Sequence, residues 1–125
     1  EILIGLVGSE MCIRDRCIDY IYDHLHTRIT VELLAKRVNL TPSYLSRLFK
    51  KETGDNIGHY IKMLKLDTAR NMLIYSDYSP AQIAQTLAFP SQSYFTEQFR
   101  LHTGLTPANY RNINLRQTPF HKNNT

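Results

Sequence analysis

The chain has 125 residues, with five glycines, two cysteines and a formal net charge of +4 at pH 7. This length holds one or two small globular units, and a unit of about fifty residues is only marginally stable by itself because it buries little apolar surface. Cys12 and Cys17 match no zinc-ligand spacing, the glycines form no phosphate-cradling loop, and no nucleophile motif occurs. We therefore expect a reduced, cytoplasmic protein that is not an enzyme and holds no metal and no cofactor.

Residues 1–16 do not fit the rest of the chain. The apolar run from Ile2 to Val7 is too short to span a bilayer and follows no basic region, so we expect no membrane association. The stretch from Leu6 to Arg16 resembles translated sequencing-adapter read-through. We interpret residues 1–16 as non-native or disordered, in which case the chain is a fragment. The alternative is a native tail or part of a preceding helix.

Apolar residues spaced three and four apart predict a series of helices. In chain order the predicted elements are a helix over 17–26, a helix-turn-helix over about 30–54, a long helix over about 57–75, a second helix-turn-helix over about 80–104, a short helix ending near Arg111, and a flexible tail over 113–125. The apolar stripe expected on the long helix consists of Ile57, Tyr60, Ile61, Leu64, Thr68, Ala69, Met72 and Leu73. At about 1.5 Å per residue, this helix extends about 27 Å. That length is close to the ~34 Å of one DNA turn, so this helix is long enough to hold two DNA-reading elements one turn apart.

Helix caps and turn residues mark the boundaries of these elements. The predicted N-terminal signals are Thr30, Thr41-Pro42, Asn56, Ser79-Pro80, Ser91 and Thr106-Pro107. Asn39 and Ala88 occupy the two turns, where a left-handed backbone strains alanine more than asparagine. Gly54 is placed to end the second helix of the first pair.

The helix-turn-helix pattern occurs twice. The first copy reads Leu34, Ala35, Val38, Leu40, Tyr44, Leu45, Phe49 and Thr53-Gly54, and the second reads Ile83, Ala84, Leu87, Phe89, Tyr94, Phe95, Phe99 and Thr103-Gly104. The offset is 49 residues before the turn and 50 after it, so the second turn holds one extra residue. The repeat predicts two similar helix faces, which reading two neighbouring DNA segments requires.

The basic side chains are concentrated in the first copy. Residues 28–66 hold eight basic and three acidic side chains, a net charge of +5, whereas residues 67–112 hold three of each. We therefore expect the attraction for a polyanion to come mainly from the first copy.

Three stretches carry a family pattern: Leu45 to Gly54, Ile83-Ala84 with Gln92 to Arg111, and Leu66 to Leu73. Together they resemble the DNA-binding domain of the AraC/XylS family of bacterial transcription regulators. The match covers about residues 17–112, and a paired motif at this spacing is more specific than a lone helix-turn-helix.

The resemblance implies an all-α fold of about seven helices, with two helix-turn-helix units joined by a long central helix. It implies a sequence-specific transcription regulator that binds double-stranded DNA at the bacterial nucleoid, each recognition helix entering one of two successive major-groove segments. Activation is the commoner mode in this family, and RNA polymerase is a frequent partner. Most members also carry an effector or dimerisation domain, which we expect to be missing from this fragment; the alternative is one of the small members that lack such a domain and act as monomers.

In the first recognition helix, the residues that match the family's base-contact positions are Ser43, Tyr44, Ser46 and Arg47. Arg47 carries the strongest physical case, because a guanidinium bonds guanine O6 and N7 together. Its alternatives are a phosphate contact or a salt bridge to Glu52 or Asp55. Tyr44 recurs as Tyr94 in the second copy, which favours a packing role. Lys50 and Lys51 are predicted to contact phosphates.

In the second recognition helix, the matching positions are Gln92, Ser93, Thr96 and Glu97, with Arg100 and His102 as candidate phosphate contacts. Gln92 is suited to bind adenine through its amide. Glu97 departs from the family's arginine or lysine, and it repels phosphates although it is able to accept from cytosine N4. We therefore expect the first unit to supply most of the affinity and the second to tune specificity or to flex with the site.

An alternative function is a helical module that docks RNA polymerase or another regulator. The basic bias of residues 28–66 argues against this alternative. An enzyme is disfavoured because Asp67, Asp77 and Glu97 lie on different predicted elements and form no acid–base pair.

Overall fold

The structure, a computed structural model, describes residues 12–117, and the predictions for residues 1–11 and 118–125 lie outside this range. Across it the chain forms seven helices and no strand: α1 (Ile13–Asp23), α2 (Val31–Arg37), α3 (Pro42–Thr53), α4 (Ile57–Tyr75), α5 (Pro80–Thr86), α6 (Gln92–Thr103) and α7 (Pro107–Gln117). No helix in this part of the chain has the length and apolarity needed to cross a membrane. The all-α prediction is confirmed, and α4 has the predicted bounds.

The helices divide into two compact units whose boundary lies within α4. Unit 1 extends to Met63, and unit 2 begins at Leu64. In chain order, each helix-turn-helix is preceded and followed by a further helical segment. Unit 1 contains α1, α2, α3 and the first part of α4, and unit 2 contains the rest of α4, α5, α6 and α7. The long helix therefore contributes to both units.

The core of unit 1 is built from apolar side chains at helical spacing. Ile21 on α1, Leu34 on α2, and Leu45 and Phe49 on α3 are each at most 1% exposed. Fully burying a side chain of this kind stabilises a fold by about 1.5–3 kcal/mol. Because Leu45 and Phe49 are four residues apart, they occupy one face of α3 and leave the opposite face to solvent.

The turn residues of unit 1 have the predicted conformations. The Thr41 hydroxyl accepts the Tyr44 N–H at 3.2 Å and so caps α3. Asn39 has a φ of 60°, and Gly54, which ends α3, has a φ of 82°. Both lie in the left-handed region that asparagine and glycine tolerate best.

Unit 2 repeats this geometry with different residues. Ser79 and Gln82 form a capping box at the start of α5, and Ser91 caps α6. Ala88 has a φ of 58° in the turn, as predicted. A left-handed backbone costs a residue with a Cβ about 1–2 kcal/mol, so unit 2 carries strain that Asn39 largely avoids in unit 1.

The repeat also includes the helix that follows each helix-turn-helix. The Phe49 ring meets Tyr60 edge-on with 5.3 Å between centroids, and Phe99 meets Tyr110 in the same way at 5.3 Å. The second pair is offset from the first by 50 residues at both positions. The start of α4 therefore serves unit 1 as α7 serves unit 2.

The first helix begins earlier and ends earlier than predicted. The pattern predicts residues 17–26, whereas α1 runs from Ile13 to Asp23. The Arg16 N–H donates to the Cys12 carbonyl at 3.0 Å, so the helical hydrogen bonds start within the segment predicted to be disordered. At the other end, the Thr27 hydroxyl bonds the His24 carbonyl at 2.8 Å and closes the chain into a turn.

The last helix is longer than predicted. The prediction ends it near Arg111 and leaves residues 113–125 as a flexible tail, but α7 continues to Gln117. The Asn114 side-chain amide donates to the Tyr110 carbonyl at 2.7 Å within this extension. The Arg111 guanidinium donates to the carbonyls of Leu73, at 2.8 Å, and Ser76, at 3.1 Å, and this ties α7 to the end of α4.

The apolar stripe of α4 is confirmed in part. Ile57, Ile61, Ala69 and Leu73 are buried as predicted. Tyr60, Leu64, Thr68 and Met72 are half-buried. Leu66 and Lys65 are buried without having been predicted to be, at 0% and 6% exposed. Lys65 is therefore not at the surface, so one of the eight basic side chains counted over residues 28–66 does not add to the exposed positive charge.

Candidate nucleic-acid interface

The solvent-facing side of α3 carries the residues predicted to contact DNA. Because Leu45 and Phe49 turn inward, the residues between and beyond them face solvent. Ser43, Tyr44, Arg47, Lys50 and Lys51 are exposed, and Ser46 is half-buried. The predicted first recognition helix thus presents hydroxyl groups near its start and cations toward its end.

Arg47 is exposed and available for a base contact. Its guanidinium carbon lies 5.9 Å from the centre of the Tyr44 ring, within range of a cation–π interaction. Among the described residues, no ion pair joins Arg47 to Glu52 or Asp55, and the Asp55 carboxylate lies 2.7 Å from His59 instead. The structure therefore does not support a salt bridge from Arg47 to Glu52 or Asp55.

The two equivalent tyrosines are on the surface. Tyr44 is 47% exposed and Tyr94 is 41% exposed. Each ring is therefore partly covered and partly open to solvent, while Phe49 and Phe95 occupy the inner faces of α3 and α6. The Tyr44 ring supports Arg47, and the Tyr94 ring lies 6.4 Å from Phe89 in the turn.

The outer side of α6 has the same shape and different chemistry. Gln92, Ser93 and Glu97 are exposed, and Thr96 is half-buried. Arg100 donates to the Glu97 carboxylate at 3.3 Å, so the cation predicted to meet phosphate already has an acidic partner.

A second candidate phosphate contact in unit 2 also has an acidic neighbour. The His102 ring nitrogen Nε2 lies 3.4 Å from the Asp67 carboxylate, which also accepts from Arg70 at 3.1 Å. By contrast, neither Lys50 nor Lys51 forms an ion pair with any described residue. The two lysines of α3 are the stronger candidates for phosphate contacts.

The exposure pattern of the two recognition helices is the same at every position. Residues 41–55 and 91–105 are buried, half-buried or exposed in the same order. The 50-residue offset places Glu97 where α3 has Arg47, and Leu101, which is 64% exposed, where α3 has Lys51. The α3 face is therefore basic, whereas the α6 face is close to neutral.

One residue beside the predicted base contacts was missed. A shallow groove at the start of α3 is lined by Val31, Glu32, Pro42, Ser43, Ser46 and Arg47. Glu32 thus brings a carboxylate to the groove that holds Arg47. Glu32 and Arg47 lie on different helices and 15 residues apart, so no local pattern in the sequence signals this proximity.

Comparison with known proteins places this geometry among DNA-binding regulators. Residues 34–113 match the family model described as a helix-turn-helix domain. An uncharacterised HTH-type transcriptional regulator of Bacillus subtilis, YobQ, is 38% identical over 95 residues, which are 76% of this chain and 39% of that protein. The multiple antibiotic resistance protein MarA of Escherichia coli is 31% identical over 98 residues, which are 78% of this chain and 77% of that protein.

The fold is also similar to a solved DNA complex. The DNA-binding domain of AdpA, a global transcriptional factor crystallised with a target DNA, superposes with a TM-score of 0.82 and 27% identity. The alignment covers 87% of this chain and 98% of that domain. The chain spans 39%, 32% and 13% of the first three curated relatives it matches, so its counterpart in those proteins is one part of a longer chain.

Proposed function

The chain belongs to the AraC/XylS family of helix-turn-helix transcription regulators, and from this premise we propose that it binds DNA sequence-specifically by inserting α3 and α6 into successive major-groove segments. The family is one of DNA-binding regulators and not of enzymes. The observation that carries the proposal is the exposed cationic face of α3, on a helix whose backbone geometry recurs in α6.

The proposed roles in unit 1 follow from side-chain chemistry. Arg47 reads guanine through its two parallel N–H groups, a contact that discriminates by about 1–3 kcal/mol. Ser43 and Ser46 are small enough to let the helix approach the base edges, and Tyr44 supports the Arg47 guanidinium. Lys50 and Lys51 bind phosphates, which sets affinity and orientation without reading sequence.

The proposed role of unit 2 is to adjust specificity. Gln92 reads adenine, and Ser93 and Thr96 lie against the base edges. The Glu97 carboxylate repels any phosphate that comes close to it. Arg100 and His102 contribute less to affinity than the α3 lysines, because each has an acidic neighbour within 3.4 Å. Unit 1 therefore supplies most of the salt-dependent affinity.

We further propose that the full-length protein is a cytoplasmic transcription activator. The greater length of YobQ and related proteins supports an additional effector or dimerisation domain outside residues 17–112. The exposed Leu101 of α6 and Tyr75 at the end of α4, which are 64% and 74% exposed, favour a protein contact as a second function of unit 2. RNA polymerase is the partner we propose for it.

Binding of wild-type and variant chains to a duplex selected from random sequences tests the proposal. Arg47→Ala is expected to weaken the selected site by about 1–3 kcal/mol and to remove base preference at one position. Lys50→Ala is expected to weaken all sequences alike and to lower the salt slope of log K by about one. Lys36→Ala removes the same charge from the end of α2 and serves as the matched control.

Three results would contradict the proposal. In the first, the chain selects no sequence from the random duplexes. In the second, both α3 variants bind DNA as wild type does. In the third, Lys36→Ala loses as much DNA affinity as Lys50→Ala. Binding of RNA polymerase without any DNA affinity would instead favour the protein-docking function.

A further inference from the structure

Lys65 is the one charged side chain that is buried among residues 12–114. It is 6% exposed and lies on the part of α4 that belongs to unit 2. A long flexible side chain at a helix surface ordinarily extends its ammonium group to water. The position of this lysine inside the unit therefore needs a local reason.

The Lys65 ammonium lies at the C-terminal end of α5. Its Nζ donates a hydrogen bond to the carbonyl of Leu87, which is the C-cap residue of that helix. Carbonyls at a helix C-terminus lack intrahelical donors and carry the negative end of the helix dipole, so a cation is favourable there. Lys65 supplies from α4 the donor that α5 lacks.

The bonded carbonyl belongs to the turn that leads into α6. Ala88, the next residue, has the left-handed φ of 58°, and its N–H donates to the Gln85 carbonyl at 3.1 Å. The Phe89 N–H donates to the Ala84 carbonyl at 2.9 Å, and the Phe89 ring lies 4.9 Å from the ring of Phe95 on α6. The turn is thus fixed to α6 by Phe89 and to α4 by Lys65.

Stability alone does not explain a lysine at this position. Burial lowers the pKa of Lys65 from 10.5 to about 8, so holding the charge at neutral pH opposes folding. An apolar residue of similar length avoids this desolvation, and replacing buried charges by apolar groups is often neutral or stabilising. The side chain therefore contributes something other than stability.

We propose that Lys65 is a positioning residue for DNA recognition: it holds the turn between α5 and α6 against α4 and so fixes the direction in which α6 presents Gln92, Ser93 and Glu97. This inference rests on the proposed function, because it assigns to Lys65 a part in how unit 2 reads bases. Lys65 itself touches no DNA, since it is buried.

Unit 1 provides a natural comparison. The Arg16 guanidinium on α1 donates to the carbonyl of Arg37, the last residue of α2, at 3.3 Å. This contact lies one residue before the C-cap Val38 and is exposed, whereas the Lys65 contact to the C-cap Leu87 is buried, and water replaces an exposed donor readily. Arg16→Ala therefore serves as a control that removes an exposed cation from a carbonyl at the C-terminal end of α2, with little expected effect.

The test measures base discrimination separately from stability. Arg47→Ala identifies the half of the selected duplex that α3 reads, and the other half is then scrambled to give a second duplex. For each variant, the ratio of affinities for the two duplexes reports discrimination by α6. Lys65→Met is expected to lower that ratio about tenfold, the discrimination of one well-placed base contact, while its thermal midpoint does not fall.

Lys65→Arg restores a cation and N–H donors and is expected to recover most of the ratio, and Arg16→Ala is expected to keep it. Should Lys65→Met not fold, Lys65→Leu, which also lacks an N–H donor and a charge, takes its place under the same criteria. A preserved ratio in Lys65→Met overturns the inference, as does an equal loss on both duplexes with a lowered midpoint. If Arg47→Ala also binds as wild type does, the proposed function fails as well.

Discussion

Raising the pH from about 8 to about 10.5 is expected to relieve the unfavourable burial of the Lys65 ammonium. The pKa of Lys65 is about 8 in the folded chain against 10.5 for the ordinary side chain. Within this window the unfolded chain keeps the proton that the folded chain has released, so unfolding takes up a proton and stability rises with pH. Each pKa unit corresponds to about 1.4 kcal/mol, so the full gain is about 3 kcal/mol.

Two other groups act in the opposite direction. Burial raises the pKa of the Cys17 thiol above its ordinary value of 9.0, and burial also raises the pKa of Tyr60 above 10.0. These groups ionise first in the unfolded chain, so they lower stability as the pH rises above about 9 and about 10. The wild-type curve contains all three effects, and the difference between wild type and Lys65→Met isolates that of Lys65.

The assay is urea unfolding followed by circular dichroism at several pH values between 7 and 10.5. Near pH 7, Lys65→Met is expected to be at least as stable as wild type. Removing the buried charge stabilises the fold, and this gain offsets or exceeds the loss of about 1–3 kcal/mol from leaving the Leu87 carbonyl without its donor. The wild-type minus Lys65→Met difference should then rise by about 3 kcal/mol toward pH 10.5. A difference that stays constant would refute the burial of a charged Lys65.

Three further substitutions have expected effects. Ala88→Gly should raise the free energy of unfolding by up to about 1 kcal/mol, because relief of the left-handed strain exceeds the entropy lost by glycine, whereas Asn39→Gly should change it little; urea unfolding measures both. Glu97→Gln should free Arg100 for phosphate and steepen the salt slope of DNA binding by up to about one, and a weaker selected site would instead indicate that Glu97 reads cytosine. Arg111→Met should lower the free energy of unfolding by about 1–3 kcal/mol, since it leaves the carbonyls of Leu73 and Ser76 without their donor, and an unchanged urea midpoint would contradict this.

Features that depend on a few neighbouring residues could be predicted from the sequence. The caps at Thr41, Ser79 and Ser91 and the left-handed residues Asn39 and Ala88 are all confirmed. In each case the determining interaction is local: a side-chain oxygen bonds an N–H three residues later, or a turn length requires one backbone conformation.

Features that depend on packing between helices could not be predicted in this way. Lys65 is followed by the buried Leu66, and its spacing alone places it at the edge of the apolar stripe; only the approach of the α5 C-terminus explains its burial. The exposure of Tyr44 has the same origin, because the inner face of α3 is already filled by Leu45 and Phe49. The Arg111 contacts are of this kind as well, because they reach carbonyls 35 and 38 residues earlier in the chain.

The repeat separates what the fold requires from what recognition requires. The residues that close each unit are kept in kind, as in the Phe49–Tyr60 and Phe99–Tyr110 ring pairs, because they fill the same space behind the same backbone. The exposed positions are under no such constraint, since a surface substitution away from caps and cores changes stability little. Arg47 in α3 and Glu97 in α6 occupy equivalent positions. This difference changes what each helix can bind without changing how the helix packs in its unit. Two units with one architecture and unequal charge are therefore suited to divide affinity and specificity between them.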